Sequence, residues 1–160
     1  MQGHFGLGIT NGYPLAFDRG SVSVSPGSIA EEVLARVRVP ANVLGINGYL
    51  YVNAFWAANN TADAKTCRIR FSGAAGTIFL ERNIANNVAF SSFTLISNHD
   101  NVNTQLGGSI QGGHGLSTTA FPTSAVNTLV DTFIVLTGQK AVGADTLTLT
   151  HFNVLLTPGN

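Results

Sequence analysis

Lys65-Thr66-Cys67-Arg68-Ile69-Arg70-Phe71-Ser72 alternates without a slip, with Cys67, Ile69 and Phe71 on one side and Thr66, Arg68 and Arg70 on the other. Successive side chains of a strand point to opposite faces, so a period of two with one apolar side marks a half-buried β-strand. Asn59 to Ala64 turns the chain before it, and Gly73-Ala74-Ala75-Gly76 turns it after. The same pattern extends both ways. Upstream, Tyr49 to Ala58 is dense in Tyr, Val, Phe and Trp, the residues that fill a pleated surface. Before that, Val33, Ala35, Val37 and Val39 alternate with Leu34, Arg36 and Arg38 until Pro40 ends the run.

Downstream, strands are expected over Thr77 to Arg82 and over Val88 to Ser97, where Phe90, Phe93 and Leu95 suggest a bulge. A weaker strand lies around Thr104 to Gln111, and Gly112 to Ser124 reads as a long loop. Thr128 to Thr137 and Thr146 to Thr157 close the chain. This makes about eight strands with turn signals at short spacing and no helical pattern between them, which removes parallel α/β folds. Antiparallel strands in this number resolve best as a two-sheet jelly-roll sandwich. The immunoglobulin-type alternative lacks its paired cysteines, and no repeat supports a propeller or solenoid.

Residues 1–28 differ in style. They are rich in glycine and show neither period, yet they carry Phe5, Tyr13 and Phe17. A purely disordered tail has little use for such apolar groups. The expected organisation is an extended N-terminal arm over 1–28, able to dock on a neighbour through those aromatics, and a jelly-roll domain over 29–160.

Only 10% of the residues are charged while 44% are hydrophobic, against roughly 25% charged in an ordinary soluble domain. A β-rich chain so poor in charge is expected to be covered by other protein, as a part of an assembly. Eight Lys and Arg balance eight Asp and Glu, so there is no cationic excess to displace counterions from phosphates. Neither nucleic acid nor an anionic membrane is an expected partner. The N-terminus shows no secretory signal pattern, and no apolar run reaches the ~20 residues of a membrane helix. The chain is expected to be soluble and made in the cytoplasm.

Candidate chemistry is thin. The lone Cys67 reads as a small buried hydrophobe. His4, His99, His114 and His151 share no metal-ligand spacing, and His99-Asp100 lacks a nucleophile elbow to serve. Gly112-Gly113-His114-Gly115 could cradle an oxyanion but reads first as a loop tip. Glu31-Glu32 would need a third acid nearby for glycoside chemistry. Tyr49, Tyr51 and Phe55 share one strand face and Trp56 the other; one face must be core, and the other could stack on sugar rings. Arg36 and Arg38 project together, as do Arg68 and Arg70. If their strands share a sheet, they form a basic patch suited to an acidic partner, unless local acids pair them. No catalytic residue, cofactor or metal site is expected.

Arg68-Ile69-Arg70-Phe71-Ser72-Gly73 followed by Gly76-Thr77, the run Ile96-Ser97-Asn98-His99-Asp100-Asn101 leading into Asn103-Thr104-Gln105, and the closing Thr146-Leu147-Thr148-Leu149-Thr150-His151-Phe152 carry a family likeness. Over roughly residues 30–157 the chain resembles small structural proteins of tailed-bacteriophage virions with a jelly-roll domain. The resemblance implies a homo-oligomer, commonly a trimer, on the phage capsid surface. There it would act as a head decoration (cement) protein bound to the major capsid protein or another virion protein. The alternative is a receptor-binding domain of a head spike or tail appendage, recognising host glycans through the loops at 98–103 and 112–124 or between subunits. No catalytic motif comes with this resemblance.

Overall fold

A computed structural model describes residues 13–18, 20–108 and 120–159. Within them run β1 (Tyr13–Asp18), β2 (Val22–Ser23), β3 (Glu32–Val39), β4 (Tyr49–Ala58), β5 (Lys65–Phe71), β6 (Thr77–Ile84), β7 (Ala89–Asn98), β8 (Gln105–Gly107), β9 (Thr123–Ser124), β10 (Thr132–Lys140) and β11 (Leu147–Thr157). No helix occurs among the described residues, so none there is long and apolar enough to cross a membrane.

One sheet is ordered β1-β11-β4-β7-β8-β9, with β2 also pairing β11; the other is ordered β3-β10-β5-β6. Every strand pairing is antiparallel. Take β1 and β2 together as the first strand and set aside the β8–β9 extension. The large sheet then runs first-eighth-third-sixth and the small one second-seventh-fourth-fifth. That interleaving is the double Greek key of a jelly roll.

The core lies between the sheets. Leu50, Val52, Ala54 and Trp56 of β4 and Phe152, Val154 and Leu156 of β11 face Cys67, Ile69 and Phe71 of β5 and Ile134 and Leu136 of β10. Each Val, Leu, Ile or Phe side chain among them taken out of water contributes about 1.5–3 kcal/mol. Phe71 and Phe79 meet edge to face at 6.1 Å. Trp56 buries its ring and donates its Nε1–H to Ser92 Oγ at 3.0 Å, so its one polar atom is satisfied. Gly138 leaves no room for a side chain: a Cβ there would lie 2.9 Å from both Leu34 Cδ1 and Val24 Cγ2.

Three expectations shift. Residues 13–18 and 22–23, read as part of a patternless arm, are the first strand of the fold. The register slip between Pro14 and Ala16 breaks their alternation, and pairing to β11 holds them regardless. The boundary between residues 28 and 29 therefore does not separate an appendage from the sandwich; Phe5 lies outside the described residues. In β3 the alternation slips at a bulge against Leu136 and Thr137, so Leu34 turns inward and Val33 is exposed. The bulge expected in β7 is absent: its register with β4 runs unbroken from Ala89 to Ser97, with Phe93 and Leu95 on the outer face and Thr94 and Ile96 on the inner.

Candidate functional site

The two outer faces of the sandwich are chemically opposite. Among the strands of the large sheet, Asp18 at the end of edge strand β1 is the single Asp, Glu, Lys or Arg. Its outer face instead carries rows of aromatic, amide and hydroxyl side chains. Phe17 sits opposite Asn153, which sits opposite Asn53, itself opposite Phe93. Beside that row, Phe55 stacks on His151 at 3.9 Å between centroids. On the other side, Leu155, Tyr51 and Leu95 form a row, and Tyr51 stacks on Phe93 at 6.0 Å. In β4, Leu50, Val52 and Trp56 face inward, so Tyr49, Tyr51 and Phe55 face outward.

At the β7–β8 end of this face lies a hollow of about 640 Å³ lined by Tyr49, Tyr51, Leu95, Ser97, Leu155 and Thr157, with Leu106, Gly107 and Gly108 as one wall. No charged side chain lines it.

The small sheet gathers the ionic groups. Arg36 and Arg38 on β3 and Arg68 and Arg70 on β5 do share this sheet, separated by β10. They are not bare. Glu31 receives Arg70 through Nε at 2.8 Å and Nη2 at 2.9 Å, and lies 3.1 Å from Arg68 Nη1. Arg68 also donates to Glu81 and to Gln139 Oε1. Arg38 donates to Asp131 at 2.7 Å, and Arg36 Cζ stands over the Phe133 ring, 3.7 Å from its centroid. Partial burial pushes the Glu31 carboxyl up, but the bonds from Arg70 and Thr137 and the Arg68 and Arg70 charges outweigh it and hold it below the usual carboxylate range. A general acid needs the reverse. The Arg38 hydrogen bond similarly lowers Asp131.

The remaining candidates are dispersed. Tyr13 and Phe17 stand on β1 at 64% and 56% exposure. His99 is exposed on the loop after β7, where its backbone N–H donates to Thr104 O. His4 and the Gly112–Gly115 segment lie outside the described residues. Cys67 is fully buried, and burial pushes its thiol up. Among the described residues, no three His, Cys, Asp or Glu side chains cluster as a metal site. Asn98, expected at a loop tip, is instead an internal strut. Its amide donates to Gly45 O and Thr128 Oγ1 and accepts from Gln105, whose own carbonyl takes Val126 N and Ser124 Oγ. Sequence reasoning missed the hollow, because its walls come from β4, β11 and the consecutive β7 and β8, which only the sheet order brings together.

No family model matches the chain, and no curated protein does. Solved structures with a related outline include the CBM2 module of the evolved Dit of Lactobacillus casei BL23 phage J-1. It is 10% identical over 87% of this chain and 77% of that one, with a TM-score of 0.40. A CBM4 structure is 13% identical over 86% and 89%, at 0.30. Infectious bursal disease virus of the Gx strain is 11% identical over 93% of this chain and 40% of that one, at 0.28. The strand order, not these distant likenesses, makes the fold a jelly roll.

Proposed function

We propose that this chain is a non-enzymatic building block of a phage virion, a jelly roll that assembles as a homotrimer and decorates the capsid surface as a cement protein. One observation carries the reading: ionic groups are confined to the small sheet and the connections, while the outer face of the large sheet offers Phe17, Phe55, Phe93 and His151 with Asp18 alone at its margin. A free surface normally interleaves charge of both signs, and a face depleted of charge and enriched in aromatics has the composition of an interface core. Zero net charge removes repulsion between copies. The resemblance of the 68–77, 96–105 and 146–152 segments to tailed-phage structural proteins supplies the virion. Modest contacts repeated at several interfaces then give stable occupancy through avidity.

The test is the mass of the purified chain by light scattering, followed by electron cryomicroscopy of particles bearing it. A trimer in solution and density on the capsid exterior support the reading. A monomer that no particle carries sinks it. The role of the N-terminal segment is tested by deleting residues 1–12 only, because a deletion through residue 28 would also remove β1 and β2. Unchanged capsid occupancy after that deletion would remove Phe5 from the docking surface.

A further inference from the structure

We infer that the hollow at the β7–β8 end of the large sheet binds a neutral saccharide. This goes beyond the assembly reading and stands without it, since Phe17, Phe55 and His151 lie outside the hollow's lining. Its size falls within the roughly 300–1,000 Å³ of small-molecule sites. Leu95, Leu155 and the flanks of Tyr49 and Tyr51 make an apolar floor, and Leu95 and Tyr49 remain 42% and 39% exposed. Around that floor stand hydroxyls: the two phenols, Ser97 and Thr157. Ser97 Oγ is spent on Leu106 O, but neither phenol hydroxyl has a hydrogen-bond partner among the described residues.

Each candidate ligand class meets that surface differently. A phosphate, sulfate or carboxylate would lose its hydration with no cation to compensate, so anionic ligands are disfavoured. A wholly apolar ligand would desolvate the phenols without replacing their bonds to water. A pyranose has an apolar C–H face and a rim of hydroxyls, which matches an aromatic floor inside a hydroxyl rim. Gly108 keeps one wall low, with open space where its Cβ would stand, whereas a Cβ on Gly107 would point inward onto the Phe79 ring.

The experiment presents the full chain to an array of neutral hexose and N-acetylhexosamine oligosaccharides beside sialylated and sulfated ones. Binding confined to neutral members is expected. Tyr51→Ala should weaken it about tenfold by removing the stacking surface, and Tyr49→Phe about fivefold by removing one hydroxyl. Val33→Ala, exposed on the small sheet and outside both the hollow and the aromatic face, should bind as the parent does. Thermal melting of each variant checks the fold, and the conservative Tyr49→Phe keeps the test open if Tyr51→Ala does not fold. No neutral binding, a preference for acidic members, or parental binding in both tyrosine variants overturns the inference. So does a Tyr51→Ala variant that loses only its oligomeric state. A monomer that binds neutral sugar would sink the assembly reading alone; an oligomer that binds none would sink only this one.

Discussion

Lys65 and Lys140 stand directly opposite each other across the β5–β10 pairing, and both are almost wholly buried. Like charges so placed repel, and the arrangement holds because oxygen surrounds each one. Lys65 Nζ donates to Thr61 Oγ1 at 2.7 Å and Asp63 O at 2.8 Å, and Lys140 Nζ to Ser25 O at 3.0 Å and Gly143 O at 3.2 Å. One carboxylate, Asp145, lies 3.8 Å from Lys65 and is itself held by Asn59 and Thr61. The Asn59 bond, helped by Thr61 and both lysines, keeps Asp145 below the usual aspartate range despite burial. Asp145→Asn takes from the two buried ammonium groups the carboxylate they share, so melting monitored by circular dichroism should fall by about 5–10 °C. An unchanged melting temperature would mean the carbonyls alone suffice.

Acid should destabilise the fold in a defined window. Glu31, Asp131 and Asp145 all sit below their ordinary values of 4.5, 3.8 and 3.8. Stability from a depressed carboxyl is complete above its unfolded value and disappears as pH falls through the folded one. Melting temperature should therefore stay level from pH 7 to about 5 and decline below that. Glu31→Gln should lower the level region by about 2–4 °C, because its ion pairs are partly open to water, and should flatten the acid slope.

Gly138→Ala tests how tightly the core packs on β10. Its methyl would press on Leu34, Val24 and Leu147, three side chains already buried. Overpacking of this kind costs about 1–3 kcal/mol, measurable by denaturant unfolding with an unchanged slope.

Phe55→Asp places a carboxylate in the middle of the face that carries no charge. If the proposed trimer forms through this face, light scattering should report a shift to monomer mass, while the melting curve of the monomer keeps its cooperativity. A trimer that survives the substitution would move the assembly contact elsewhere.

Cys67 should resist Ellman's reagent in the folded protein and react fully in concentrated guanidinium, since burial both shields the sulfur and disfavours its thiolate. Rapid labelling under native conditions would mean that β5 opens locally.

Much of the fold was legible along the chain. Tyr49–Ala58 and Lys65–Phe71 announce themselves because burial of one face imposes a period of two on neighbouring residues, and that constraint is local. The scarcity of charge likewise needs no coordinates. Which face of β4 became core did not follow from its own residues, since the rings of Tyr49, Tyr51 and Phe55 offer apolar area comparable to that of Leu50, Val52 and Trp56. Packing against the second sheet decided it. The same holds for the first strand, whose irregular sequence is ordered by hydrogen bonds to β11 more than a hundred residues away. It holds too for the pairing of Glu31 with Arg68 and Arg70, and for the hollow beneath Tyr49 and Tyr51. Sequence determined the strands and the poverty of charge because both are properties of short stretches. Tertiary structure alone decided which surfaces face outward and what meets there, because those contacts join residues that only the double Greek key brings side by side.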